Sequence, residues 1–321
     1  MAVNLDKPNR WKSDIAKSVD FYNNWFLNFA PKTYRDTRVA AISDVLKTLT
    51  ITDNLRGLTP PLLRKNPSII QMLRMATAPP IARDRLIGLS GVSQNVVFSM
   101  EDPKNPKVPP RMADAVLNAE LGKIIGVIQK LADRDLFPWL DDKREPDKND
   151  VGRAATVVAD RLCGAISDPV IRNAQEKRQL ESLKRWFEDR GYKYIPPGTG
   201  ISFETLSPGE FIFRLNIPVI QPNERKVNIP VDVAVIPKQS KSGDFPIFIE
   251  AKSAGDFTNT NKRRKEEAQK ISQMRSTYGN KIKYILFLCG YFDSGYLGYE
   301  AAEGIDWVWE HRIDDLSAFK L

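Results

Sequence analysis

PVDVAV at residues 230–235 and FIEAK at residues 248–252 are the two segments of the sequence that decide the expected fold. The first is an apolar run that contains Asp232, and the second is an apolar run that ends in Glu250 and Lys252. Apolar runs of this length are typical of a strand in the interior of a sheet. Successive side chains of a strand alternate between its two faces, so Glu250 and Lys252 should point the same way. Asp232 lies on the preceding strand, where a hairpin would bring it beside Glu250.

The acids at this end of the predicted sheet indicate a metal site. Ionised groups that follow a buried strand are costly unless they are paired or bound to a metal. Two neighbouring carboxylates repel each other, and a hard divalent cation with oxygen ligands relieves that repulsion. We therefore predict a site for Mg²⁺ that is formed by Asp232, Glu250 and Ala251.

Lys252 extends this pair of acids into a catalytic site. On the same face as Glu250, its amine can orient a water at the metal or help to deprotonate it, and that water would attack phosphorus in line. Asp232, Glu250 and Lys252 are therefore the predicted catalytic residues. The alternative is a surface salt bridge between Glu250 and Lys252 on an edge strand.

A third acid is expected from the helix that precedes the sheet, at residues 173–191. Leu180, Leu183 and Phe187 form its apolar stripe, and Glu176 lies one turn earlier on the same stripe. Glu176 is therefore a further candidate for the catalytic site. The alternative is an acid near the N-terminus of a helix, where the helix dipole favours negative charge.

The pattern along the chain predicts an α/β protein with two domains. Residues up to about 150 have helical spacing, with Pro31 expected to end the first helix, and the charged segment at residues 141–150 is the candidate boundary. Two helices, at residues 151–166 and 170–190, should then lead into strands, a polar helix and a buried strand. We predict a helical domain at residues 1–150, for DNA binding or dimerisation, and a catalytic domain at residues 151–321 with a central mixed sheet flanked by helices.

The composition limits the chemistry that this 321-residue chain can perform. One histidine and two cysteines leave a Cys/His zinc site or a Ser-His-Asp triad without support, so carboxylates and lysines should do the work. The net charge of +8 favours polyanionic partners. No run approaches the ~18 apolar residues of a membrane span, and the polar N-terminus is unlike a secretory signal, so we expect a cytoplasmic protein without a membrane partner.

Two segments are candidates for contacting DNA. A polar loop runs into a basic helix just after the predicted site, which suits phosphate and base contacts. Its candidate residues are Asn259, Thr260, Asn261, Lys262, Arg263, Arg264 and Lys265. The alternative is a solvated basic face of a helix.

The second DNA-binding candidate lies in the N-terminal half. The spacing at residues 81–101 is close to that of a helix-turn-helix, with Ser93 as N-cap and with Gln94 and Asn95 beginning a recognition helix. Ile87 stands where that motif favours a small residue. A plain helical hairpin in the core is the favoured alternative.

The site motif resembles that of the PD-(D/E)xK nucleases. It departs from that pattern at one point, because Val231 stands between Pro230 and Asp232. The whole chain resembles the XamI family of type II restriction endonucleases, through four segments that span both halves. These segments are VNLDKP at 3–8, FAPK at 29–32, PPIARDRL at 79–86 and NAQEKRQL at 173–180. The resemblance implies a bacterial restriction–modification system, a short palindromic DNA site, Mg²⁺, a protecting methyltransferase and, from two-fold DNA symmetry, a homodimer.

The leading functional hypothesis is site-specific double-strand cleavage of DNA that leaves 5′-phosphates. One alternative is a repair or resolving nuclease with the same fold, which would recognise DNA structure. Another is a non-cutting regulator that binds DNA through the helix after Ser93 and would tolerate the loss of Glu250 and Lys252.

Overall fold

The computed structural model describes residues 2–142, 144–198, 200–221, 225–241, 243–258 and 260–321. The chain divides into two compact units. One comprises residues 1–29 together with 172–321, and the other comprises residues 30–171. The first 29 residues thus belong with the C-terminal part of the chain, and neither boundary falls at residue 150. The roles assigned to the two predicted domains stay predictions.

Helices dominate the first half of the chain, and the strands all lie in the second. The α-helices of the described chain are α1 (Pro8–Ile51), α2 (Pro60–Lys65), α3 (Ile69–Met75), α4 (Arg83–Ser90), α5 (Gln94–Met100), α6 (Asp114–Leu131), α7 (Trp139–Asp142), α8 (Lys148–Asp189), α9 (Thr260–Tyr278) and α10 (Ser294–Ala302). The strands are β1 (Lys193–Tyr194), β2 (Glu210–Ile220), β3 (Lys226–Val235), β4 (Ile247–Ala254), β5 (Lys283–Gly290) and β6 (Asp306–Trp309). Within these ranges, every helix is too short or too polar to cross a membrane.

The six strands form one mixed sheet in which sequence neighbours are also spatial neighbours. β2 is antiparallel to β3, and β3 is antiparallel to β4, whereas β4, β5 and β6 run parallel to one another. β1 adds a short parallel edge beside β2. The predicted α/β class, a helical N-terminal region followed by a mixed sheet with flanking helices, is confirmed.

Helices cover both faces of this sheet. On one face, Leu183 and Phe187 of α8 join a core with Ile249 of β4 and Phe287 of β5. On the other, Ile271 and Met274 of α9 join a core with Phe248 and Leu286, among others. The strand β5 is buried on both faces, as its continuous apolar sequence predicts.

Two predicted helix breaks do not occur. α1 runs through Pro31, and α8 runs through Pro169 and replaces the two helices expected there, so these predictions were wrong. An interior proline removes one hydrogen bond and costs about 3 kcal/mol, which packing along the helix can offset. Here the helices pair beyond the prolines, because Asp160 accepts a hydrogen bond from Tyr34 at 3.1 Å and the thiol of Cys163 donates to the Tyr34 carbonyl.

The N-terminal segment is tied to the end of the sheet. The buried carboxylate of Asp306, the first residue of β6, accepts hydrogen bonds from the backbone N–H groups of Val3 at 2.5 Å, Asn4 at 2.9 Å and Leu5 at 3.1 Å. Asn4 in turn donates to the carbonyl of Trp307 at 2.7 Å. We call this set of contacts the Asp306 clasp, and it makes residues 3–5 part of the sheet unit.

Gly290 ends β5 at a point where only glycine fits. Its φ of +95° lies in the left-handed region, and a Cβ there would lie 2.1 Å from the carbonyl oxygen of Ala254. Its N–H group donates to the hydroxyl of Ser18 at 2.8 Å. The backbone of Ala254 therefore occupies the space that a side chain at this position would need.

Gly290→Ala is expected to lower the free energy of unfolding by about 3 kcal/mol, because the added methyl group would clash with backbone that cannot yield locally. Urea unfolding measures the change. Gly298→Ala in α10 is the matched control, since its Cβ would meet Trp11 at an ordinary 3.7 Å. Equal stability of the two variants would contradict the geometry at Gly290.

Candidate active site

The predicted site lies where β3 and β4 separate. Their pairing runs from Val235↔Ile247 to Val233↔Ile249 and goes no further among the described residues. The next residue of β3, Asp232, instead accepts a hydrogen bond from the backbone N–H of Ala251, with its Oδ2 2.9 Å away. A carboxylate thus takes the place of a main-chain acceptor, and β4 continues along β5 alone.

A kink in β2 accompanies this separation. Arg214 has a φ of +55°, and the pairs on either side of it place it opposite Asp232. Ile212 and Leu215 would face opposite ways in a regular strand, yet both belong to the same apolar core. The strand therefore exchanges its faces at Arg214 without an inserted residue, since the pairing with β3 keeps the same register on both sides.

Glu250 and Lys252 point to the same side of β4, as strand alternation predicts. The Nζ of Lys252 lies 2.9 Å from Oε1 of Glu250. Glu250 is only 5% exposed. Its Oε2 is buried and has no hydrogen-bond partner within the described part of the chain.

The sequence did not single out three further residues of the site, Glu267, Lys270 and Tyr284. Lys270 of α9 donates to Oε1 of Glu250 at 2.7 Å. Glu267 of α9 lies 2.9 Å from the Nζ of Lys252. Tyr284 of β5 donates to the other oxygen of Glu267 at 2.8 Å.

A signal for these α9 residues was present in the sequence. Glu267 lies four residues before Ile271 and seven before Met274, which are both buried against the sheet. That spacing places Glu267 on the apolar stripe of its helix, which is the same reasoning that singled out Glu176.

The acids and lysines of the site shift one another's pKa values. Burial and the nearby charge of Glu250 raise the pKa of Asp232 from its ordinary 3.8 to about 6. Burial opposes ionisation of Glu250, yet the ammonium groups of Lys252 and Lys270 outweigh it and lower the pKa of that carboxyl. Burial likewise opposes the charge on Lys252, but Glu250 and Glu267 raise the pKa of its amine above the usual value. Lys252 is therefore a cation at neutral pH, so its geometry suits orienting a water more than accepting a proton.

Residues 175–179 of α8 form one wall of the site. Gln179 is 1% exposed, and its amide donates to the carbonyls of Lys252 at 3.4 Å and Phe287 at 3.3 Å. Gln175 donates to the hydroxyl of Ser253. The side-chain amides of Gln175 and Gln179 thus hold the end of β4 through contacts other than the hydrogen bonds between strands.

Glu176 lines the same cavity as Asp232 and Glu250. Its Oε1 accepts a hydrogen bond from Arg214 at 2.8 Å, and its side chain is 43% exposed. The structure thus places it at the mouth of the site in an ion pair. Its role as a third acid stays a prediction.

The donor set fits a hard divalent cation. Asp232 and Glu250 line one cavity, and the charge of Glu250 acts on Asp232. The Oε2 of Glu250 is a buried anionic oxygen that has no partner among the described residues and could accept a ligand. In the described ranges, no group of three or more His, Cys, Asp or Glu is arranged to hold a metal. Mg²⁺ does not require one, because one or two carboxylates with waters and a substrate phosphate suffice.

The alternative of a surface salt bridge is wrong. The pair Glu250–Lys252 exists and β4 pairs with β5 alone at these residues, but the pair is not on the surface. Only 6% of the Glu250 side chain and 23% of the Lys252 side chain are exposed. A buried pair of this kind is costly to maintain and contributes little to stability by itself, so its cost indicates a role other than stability.

The basic segment predicted to contact DNA is described in part. Asn259 lies outside the described residues, as do the side chains of Asn261, Lys262, Arg263 and Arg264. Lys265 is exposed. Thr260 is 1% exposed and donates its hydroxyl to the carbonyl of Phe257 at 3.0 Å. DNA contact by this segment stays a prediction.

The second DNA-binding candidate forms two short helices, α4 and α5, joined by residues 91–93. Gly91 ends α4 with left-handed backbone, and α5 begins after Ser93. Ser93, Gln94 and Asn95 are exposed, while Val97 packs into the core of the unit that contains it. Base contact by these three residues likewise stays a prediction.

Fold and site together define an α/β protein with paired acids and a lysine, an arrangement suited to phosphodiester hydrolysis. The XamI restriction endonuclease family matches residues 53–309 of the chain. The chain is also 52% identical over 316 residues to the type II restriction enzyme SalI of Streptomyces albus G, covering 98% of this chain and 99% of that enzyme. The chain belongs to the XamI restriction endonuclease family, and it is a site-specific deoxyribonuclease. No solved structure matches it.

Proposed function

We propose that this enzyme makes Mg²⁺-dependent double-strand cuts at a short palindromic DNA site and leaves 5′-phosphates. Asp232, Glu250 and Lys252 are the proposed catalytic residues. The observation that carries the proposal is the buried Oε2 of Glu250, which has no partner among the described residues and lies beside a second acid and a fixed ammonium. An anionic oxygen without a partner is too costly to keep buried for packing alone.

Asp232 and Glu250 would hold the cation, with Ala251 between them in the proposed metal site. When bound, Mg²⁺ acidifies water and offsets the charge that develops on the phosphate. The ammonium of Lys252 orients the attacking water toward phosphorus and stabilises negative charge on the phosphate. The N–H of Ala251 holds the carboxylate of Asp232 in the gap between the strands.

The family and the net charge support proposals for the substrate, the oligomeric state and the cellular location of the enzyme. The net charge of +8 suits double-stranded DNA. A palindromic site would be read by a homodimer, because a two-fold DNA sequence is matched by a two-fold protein. A methyltransferase that protects host DNA and a location in the bacterial cytoplasm complete the proposal.

Metal removal and replacement test the reaction. Enzyme treated with EDTA should leave plasmid DNA intact, and added Mg²⁺ should restore a fixed set of fragments. Those fragments should rejoin with DNA ligase without prior kinase treatment, because their ends carry 5′-phosphates. Cleavage in EDTA would contradict the metal requirement, and cutting of branched DNA alone would contradict sequence recognition.

A further inference from the structure

Glu267 is a buried carboxylate of α9 that the proposed reaction does not yet use. It is 3% exposed. Its Oε1 lies 2.9 Å from the Nζ of Lys252, and its Oε2 accepts the hydroxyl hydrogen of Tyr284 at 2.8 Å. Burial of a carboxylate is costly, so both of its oxygens are compensated by specific partners.

This arrangement distinguishes Glu267 from the acid pair. Both of its oxygens already have donors, whereas one oxygen of Glu250 has no partner in the part of the chain that the structure describes. Glu250 is therefore suited to a cation, and Glu267 is suited to holding the lysine.

Lys252 needs such a holder because its side chain is long and flexible. Glu250 already accepts Lys252 at 2.9 Å and Lys270 at 2.7 Å on a single oxygen. Without Glu267, Glu250 would be the remaining acid partner of Lys252 among the described contacts. The ammonium would then be drawn toward Glu250, the acid that is proposed to bind the cation.

We propose that Glu267 is a positioning residue that holds the ammonium of Lys252 between two acids and so keeps one oxygen of Glu250 open. Tyr284 fixes Glu267 in turn. This inference rests on the proposed function, in which Glu250 binds the cation and Lys252 serves the chemistry. Residues that orient a catalytic group without contacting the substrate typically contribute ten- to hundredfold to activity.

Single-turnover cleavage of a DNA fragment that contains the recognition site tests this role. Glu267→Gln keeps the volume and one hydrogen bond but removes the charge, and it should slow cleavage by roughly ten- to hundredfold. Tyr284→Phe should slow it by roughly fivefold, the value of one hydrogen bond. Affinity for the same DNA, measured with Ca²⁺ replacing Mg²⁺, should be unchanged, because Glu267 acts through Lys252.

Two further variants separate the possible failures. Glu181→Gln, at an exposed position of α8, is the matched control and should cleave normally. If Lys252→Met cleaves normally, the proposed function itself fails. If Lys252→Met is inactive and Glu267→Gln cleaves normally, only the positioning role is overturned. The same holds if Lys252→Met is inactive and Glu267→Gln loses DNA affinity but keeps the normal cleavage rate. If thermal unfolding shows that Glu267→Gln is unfolded, Tyr284→Phe decides, and its normal cleavage would overturn the role.

Discussion

Replacing Lys252 with methionine is expected to slow DNA cleavage by roughly a thousandfold, the usual loss when a preorganised charge is removed from a reacting phosphate. Methionine fills similar space without the ammonium, so the packing against β5 and α9 should persist. Single-turnover cleavage of DNA under saturating enzyme measures the chemical step. DNA affinity should change little, because the charge of Lys252 is already paired with Glu250 and Glu267.

The control for this loss is Lys283→Met, which removes an exposed lysine at the start of β5. It changes the net charge by the same amount at a distance from the acids. Cleavage at the normal rate by Lys252→Met would remove the lysine from the mechanism. An equal loss in both variants would show that overall charge, and not the position of the ammonium, determines the rate.

Asp232→Asn should have two large effects of opposite sign. Cleavage should fall by roughly a thousandfold, because one of two carboxylates for the cation is lost. The metal-free protein should gain about 2 kcal/mol of stability near pH 8, because repulsion and desolvation raise the pKa of Asp232 to about 6. Thermal unfolding in EDTA measures the gain.

The size of the stability gain in Asp232→Asn depends on pH. Since the pKa of Asp232 is higher in the folded state than in the unfolded chain, the folded protein binds more protons between about pH 4 and pH 6. The contribution of Asp232 is therefore most favourable below about pH 4 and is lost as the pH rises through about 6. The advantage of Asp232→Asn should accordingly vanish in acid and reach its maximum above pH 6.

Mg²⁺ provides the complementary measurement. The cation should raise the melting temperature of the unmodified protein, since it binds the folded state, and should raise that of Asp232→Asn much less. Asp189→Asn, at an exposed position of α8, is the control and should behave like the unmodified protein. A variant at residue 232 that is no more stable than the control at pH 8 would contradict the electrostatic account.

The acids on β3 and β4 were predictable because they obey a local rule. Strand alternation places Glu250 and Lys252 on one side, and a hairpin brings β3 beside β4. The residues from α9 were not predicted, because the apolar stripe that Glu267 shares with Ile271 and Met274 is short and lies in a mainly polar helix. Glu267 and Lys270 were therefore interpreted only as part of a polar helix.

The backbone irregularities of the site were also beyond the sequence. Arg214 adopts left-handed backbone without being glycine or asparagine, and the pairing of β3 with β4 ends where a side chain replaces a main-chain group. Such features depend on the surrounding structure, which compensates their local cost. The same applies to Pro31 and Pro169, since the contacts that preserve both helices join residues more than a hundred positions apart.

The Asp306 clasp has a consequence for how this nuclease is made. Val3 and Asp306 are 303 positions apart, so the contact cannot form until nearly all of the chain has left the ribosome. Domains usually fold in the order of their synthesis, and contacts of such long range form late. A translation product that stops short of β6 would lack the anchor for its own first residues. An unfinished chain would therefore leave the first residues of the sheet unit, which carries the candidate site, without their buried partner.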